Sequence, residues 1–272
     1  MTANGRMPTL YIPHGGGPSF FMEEGLGPKG AWDAQANYLR GLAASLGRRP
    51  KAVLAISAHW EERRATVNVQ AKPSLLFDYY GFPDYTYRLT YPASGDPALA
   101  RRVRDLLSRA GIESAEEDAR GFDHGVFIPF MLIYPEADIP IVELSLVQGL
   151  DAATHLKIGQ ALAPLRDEGV LIVGSGMSYH NLRAMMSGEP GADAASEKFD
   201  AWLAETLESP DLKARESRLL DWAAAPGGRA SHPRPEHLIP LHVAVGAAGA
   251  DRGKRTYSDR LMGKMQSGFR FG

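Results

Sequence analysis

Four short runs place apolar residues at successive positions: "TLYI" (9–12), "AVLAIS" (52–57), "IPIVELSLV" (139–147) and "GVLIVGS" (169–175). Such runs predict strands buried on both faces, as in a parallel sheet. Between them the period becomes helical. "AWDAQANYLRGLAASLG" (31–47) is amphipathic and ends at Gly47, which suits a residue just past a helix. "DPALARRVRDLLSRAG" (96–111) opens with Asp96 as cap and Pro97 at the first turn, and carries one stripe of Leu99, Val103, Leu106 and Ala110. Helices are also predicted over 151–169 and as a pair, 196–209 and 211–225, around Pro210. An apolar helix follows "GFDH" within 121–135. A last helix begins near "PEHLIPL" (235–241), because Pro235 and Pro240 are tolerated only close to its start. "KRTYS" and "SGFRFG" near the C-terminus predict further edge strands.

This alternation predicts one α/β domain over residues 1–272, with a central, mostly parallel or mixed sheet flanked by helices. A 272-residue chain with 44% hydrophobic composition can bury the core this needs. Lys and Arg number 30 and Asp and Glu 32, so the near-neutral charge gives no reason to expect nucleic acid or an anionic membrane as a partner. No apolar run approaches the ~20 residues of a membrane span, and "MTANGRMPTL" lacks a leader's apolar segment. A soluble, cytoplasmic protein is expected, as a monomer or homodimer.

The chain has no cysteine, so any metal must be held by histidines and carboxylates. Three of its eight histidines follow predicted strand ends: His14 after "LYI", His59 after "LAIS", His180 after "LIVGSG". Ligands of open α/β sheets gather outside the carboxyl ends of the strands. If these strands are parallel neighbours, the three imidazoles share one crevice, and His237 at the mouth of the last helix closes the cluster. Gly15, Gly16 and Gly17 permit a sharp turn and space beside His14. Each histidine alone is compatible with an incidental turn residue; three at strand ends together weaken that reading. Asp123-His124, at the entrance of an apolar helix, offers a base, since imidazole titrates near neutral pH. The alternative is an N-cap aspartate with a structural histidine. His155 and His242 fall on apolar helix faces, and His232 in a loop.

One long irregular stretch, 75–95, is rich in aromatics, including Tyr79, Tyr80, Phe82, Tyr85 and Tyr87. Loops of this length in compact domains are often functional, although an aromatic flap or subunit contact fits equally. "HGGG" is shared with the oxyanion loop of some lipases, but the nucleophile elbow is missing: the run from Gly176 to His180 lacks its final glycine.

Taken in order, "PHGGGP", "SAHW", "GFDHG", "HNL" and "PEHLIPL" resemble the class III extradiol ring-cleaving dioxygenases, and among them the DOPA 4,5-dioxygenase subgroup. The matches span residues 9–241. The resemblance implies a single α/β domain with one metal per chain at the carboxyl ends of the strands. It implies His14, His59 and His237 as ligands, His180 as a further ligand or pocket residue, and His124, beside Asp123, as the acid–base group. Fe(II) is then expected for activity, with Zn(II) in the isolated protein, and a catechol and O2 as substrates. Other branches use two histidines and a glutamate, so Glu236 competes with His237 for the third position. The direction of the following apolar stripe, Leu238, Leu241 and Val245, favours His237, with Glu236 as a helix cap or a partner of the ligand. Arg63, Arg64 and Arg88 are candidates to pair with a substrate carboxylate. A zinc-dependent hydrolase and a non-catalytic metal-binding protein are the competing readings of the same histidines.

Overall fold

A computed structural model describes residues 5–22 and 26–272. The first four residues of the segment read as lacking a leader lie outside that description. Eight strands form one sheet: β1 (Thr9–Pro13), β2 (Ala52–Glu62), β3 (Ala65–Asn68), β4 (Ser114–Glu117), β5 (Ile141–Val147), β6 (Val170–Gly176), β7 (Gly253–Leu261) and β8 (Lys264–Phe271). Their order is β4-β3-β5-β2-β6-β1-β8-β7. The central strands β5, β2, β6 and β1 are mutually parallel. β8 runs antiparallel to β1, and β7 antiparallel to β8. The expected mostly parallel, mixed α/β sheet is the fold found.

Because side chains alternate across a strand, each central strand feeds two cores. The first helices of the chain are α1 (Asp33–Ser45), α2 (Pro97–Arg109) and the apolar α3 (His124–Ile133); Val53, Ala55, Leu171 and Val173 face α1 and α3. Leu54, Ile56, Val142, Leu144 and Ile172 face the other way, onto α2 and α4 (Ala152–Leu162). Further along the chain come α5 (Leu182–Ser187), α6 (Ala192–Leu207), α7 (Leu212–Leu220), α8 (Gly228–Ser231) and α9 (Ile239–Ala248). α9 packs on that second face and is buried throughout. No described helix is long and apolar enough to cross a membrane.

Three sequence expectations shift. The second strand does not stop at Ser57 but continues to Glu62. Ile56 pairs with Leu144 whereas Glu61 pairs with Leu146, so β2 bulges between them and carries His59 inside the bulge. The C-terminal "SGFRFG" segment is not an edge: it belongs to β8, enclosed between β1 and β7. The predicted helix over 151–169 ends as α-helix at Leu162, where Pro164 turns the chain into a short 3-10 segment.

Candidate metal centre and active site

His14 is the first residue past β1. Its N–H donates to the Gly176 carbonyl at 3.1 Å, prolonging the β1–β6 pairing by one residue. Gly15 follows with φ +88°, a conformation costly for any side chain, and a Cβ there would strike Phe20 at 2.7 Å. The three glycines therefore admit close aromatic packing: Phe20, Trp32 and Phe82 approach where their side chains would be. His59 enters from the β2 bulge. His237 lies in the turn just before α9, its carbonyl accepting from the Tyr11 hydroxyl at 2.6 Å and from Met177 N–H at 3.2 Å. Gly176 makes room for that carbonyl, which lies 2.1 Å from where its Cβ would be.

These positions bring three Nε2 atoms together: His59 to His14 at 3.1 Å and His59 to His237 at 3.3 Å. The other ring nitrogens define the tautomers. Ser175 Oγ donates to the Gly125 carbonyl, so it accepts from His14 Nδ1–H at 3.1 Å. Glu236 Oε1 accepts from His237 Nδ1–H at 3.0 Å. His59 Nδ1 faces Asp78 Oδ2 at 3.7 Å. With the protons on Nδ1, three Nε2 lone pairs face one point with no hydrogen between them. Burial, and then the neighbouring imidazoles, push the His14 and His237 pKa well below the ordinary value. Burial followed by His124 lowers that of His59 to about 3, against the opposing pull of Asp123 and Asp78. The rings are thus neutral donors. Two nitrogens each ~2.0–2.1 Å from a tetrahedral metal lie roughly 3.3 Å apart, so the spacing and the chemistry fit one divalent cation.

His180 stands outside this trio. It stacks on His237 with ring centroids 3.3 Å apart, and its Nδ1 meets Glu236 Oε1 at 3.1 Å. Glu236 is not a helix cap: Leu238 occupies that position and no side chain caps α9. Burial opposes ionisation of Glu236, but the His180 hydrogen bond, its own backbone and Arg234 outweigh it and hold the carboxyl below its usual range.

His124 lies against His59, centroids 3.9 Å apart. Its carboxylate partner is Asp78, not the adjacent Asp123: Nδ1 meets Asp78 Oδ1 at 2.8 Å, and the same oxygen accepts the His124 backbone N–H at 2.9 Å. Burial raises the Asp78 pKa, yet the hydrogen bonds and charge of His124 and the charge of His59 bring it below the ordinary value. Asp123 instead caps α3 from beneath the site. It accepts from Ser57 Oγ at 2.7 Å, Gly125 N at 3.0 Å and Arg120 at 2.8 Å. Glu143 on β5 is fully buried beside it. No donor reaches the Glu143 oxygens, and burial, then the Asp123 charge, push its pKa well up. A proton on Glu143 relieves the repulsion between two buried neighbouring carboxyl groups.

A cavity of about 430 Å³ opens over the trio, with His14, His59, His124, His180, His237 and Asp78 at its inner end. The aromatic stretch serves both purposes considered for it. Phe77 packs on Phe127 in the core, while Tyr79, Tyr80 and Phe82 line the cavity. Arg63, Arg64 and Arg88 do not line it, and Arg64 is paired with Glu113. His155, His232 and His242 are buried away from it.

A histidine-lined cleft at the carboxyl ends of a mixed α/β sheet is the arrangement of a class III extradiol enzyme. Residues 8–270 match the family described as the catalytic LigB subunit of aromatic ring-opening dioxygenase. A 4,5-DOPA dioxygenase extradiol of Beta vulgaris is 45% identical over 206 residues, 74% of this chain and 75% of that one. The protein of that name from Escherichia coli (strain K12) is 36% identical over 247 residues, covering 89% and 85%. A crystal structure of an uncharacterized Escherichia coli K12 protein superposes with TM-score 0.75 at 32% identity, covering 98% of this chain and 100% of that one. The chain belongs to the LigB family, as an aromatic ring-opening dioxygenase of the DOPA-dioxygenase type.

Proposed function

We propose that the protein opens a catechol ring beside its diol, with Fe(II) held by His14, His59 and His237 and with His124 as the acid–base group. The observation carrying this reading is the meeting of three Nε2 lone pairs whose Nδ1 atoms are each turned to an oxygen. When bound, Fe(II) would supply a redox-active Lewis acid that acidifies the diol and activates dioxygen towards the electron-rich ring. His124 presents its bare Nε2 to the cavity and accepts the second hydroxyl proton. Asp78, on the opposite ring nitrogen, steadies the imidazolium that results and fixes its orientation. His124 returns that proton later in the cycle. Both oxygen atoms enter a muconic-semialdehyde-type acid, so the catechol supplies all the electrons. His180 and Glu236 act as supports at the cavity wall, and Zn(II) fits the same three donors as an inert occupant. Membership of the family favours ring opening over the zinc-hydrolase and non-catalytic readings.

The test is oxygen consumption by the Fe(II)-loaded protein with catechol and simple 4-substituted catechols. Uptake of one O2 per ring, with a semialdehyde chromophore, is expected. Ester hydrolysis by the Zn(II)-loaded protein with no oxygen uptake in the Fe(II) form would overturn it.

A further inference from the structure

The cavity wall carries more information than ring opening requires. Beyond the histidines and Asp78 at the inner end, its large side chains are apolar or aromatic, among them Trp32, Phe82, Met177, Met185, Met186 and Met262. No lysine or arginine lines it among the described residues, and residues 1–4 and 23–25 include none. Two arginines beside the site are engaged elsewhere. Arg120 holds Asp123 and the His59 carbonyl, and Arg234 holds Glu61 and Glu236. Apolar surface also continues outward past the rim. Tyr80 is 91% exposed, Met186 65% and Leu182 56%, and all three line the mouth.

Resting on the proposed ring opening, the geometry points to a substrate class: catechols with an uncharged, apolar substituent, in preference to those bearing a carboxylate or a zwitterion. A ring held by its two oxygens at the histidine end directs a substituent along this wall. An alkyl or aryl group there is removed from water by side chains that can adapt to its shape, methionine above all. A carboxylate there would lose its hydration without gaining a cationic partner, in a cavity that already contains Asp78. Leu182, Met185 and Met186, on α5, are the specificity-determining wall. By this reading 3,4-dihydroxyphenylalanine, the compound in the relatives' names, is a poor substrate for this chain.

The experiment has a binding arm and a turnover arm. Calorimetry on the Zn(II)-loaded full chain compares 4-methylcatechol, 4-butylcatechol and 3,4-dihydroxyphenylalanine. Affinity should rise about three- to four-fold for each methylene buried, leaving the amino acid at least about ten-fold weaker than the butyl compound. The exposed-rim variant M186R should narrow that gap. Equal or tighter binding of the amino acid, or no gain with chain length, overturns the inference; an unchanged gap in M186R removes the wall from it. Oxygen uptake by the Fe(II)-loaded protein separates the two readings. Faster turnover of the amino acid would overturn the pocket inference and leave ring opening standing. The expected binding order with no uptake from any catechol would overturn ring opening and support the pocket inference. Binding of none would overturn both.

Discussion

The Tyr11 hydroxyl donates to the carbonyl of His237 at 2.6 Å, joining the first strand to the last candidate ligand. Tyr11 is fully buried, and burial raises its pKa well above the ordinary value, so it stays a donor. Tyr11→Phe removes that donor and leaves Met177 N–H alone on the carbonyl. The expected results are a stability loss of about 0.5–1.5 kcal/mol and metal affinity weakened by about ten-fold or more. Chemical denaturation and competition with a calibrated chelator measure the two separately. Unchanged metal affinity would show that the carbonyl does not set the position of the His237 ring.

Under the proposed mechanism the Asp78–His124 pair moves the proton without holding the metal. His124→Ala should lower ring opening by about 10²–10⁴-fold while the bound metal per chain stays the same. Asp78→Asn should keep the hydrogen bond but lose the charge that steadies the imidazolium, giving a smaller loss in kcat. Metal analysis beside single-turnover kinetics checks both. Loss of metal from His124→Ala would make it a ligand.

For the third coordination position, the structure puts His237 Nε2 with the trio and Glu236 on its far nitrogen. His237→Ala should strip the metal. Glu236→Ala should retain most of it with weaker affinity, because it frees His237 Nδ1 and the His180 ring together. Metal content after gel filtration distinguishes them, and the reverse pattern would restore a two-histidine, one-carboxylate site.

How much of this was legible in the sequence follows from what signals there are. Strands buried on both faces announce themselves as apolar runs, so β1, β2, β5 and β6 could be placed, with His14 just past β1, whereas His59 lies in the bulge of a longer β2 and not past its end. β3 and β4 could not: "ATVN" and "SAEE" are four residues each, and β4, at the sheet edge, alternates no apolar face. Asp78 was hidden because it sits in an irregular segment with no period to give it direction. Asp123, next to His124 in sequence, is turned away by the helix it caps. Glu143 did leave a signal, a lone carboxylate inside the run "IVELSLV" of a strand buried on both faces. Such a residue needs a partner or a proton, and burial beside the Asp123 charge favours the proton.

Stability against acid should depend on His155, buried away from the histidine-lined cavity. Its ring is fully buried, donates from Nδ1 to the Asp151 carbonyl at 2.7 Å, and accepts the Val147 N–H on Nε2 at 3.0 Å. A second proton would set N–H against N–H. Burial lowers its pKa to about 4, with the Asp151 carbonyl opposing part of the shift. In the unfolded chain the ring titrates near the ordinary value, ~6.5. Between about 6.5 and about 4 the unfolded state therefore binds more protons, and folding stability falls as the pH is lowered through that window. One such group contributes at most about 1.4 kcal/mol per pH unit. Other buried imidazoles, among them His232 with a pKa lowered to about 3 chiefly by burial, add to the same slope, so the comparison is made between variants. His155→Gln should be less stable than the parent at pH 8 yet lose less stability between pH 7 and pH 4.5. Urea unfolding at several pH values gives both slopes, and parallel curves for the two proteins would exclude His155 as a source of the acid sensitivity.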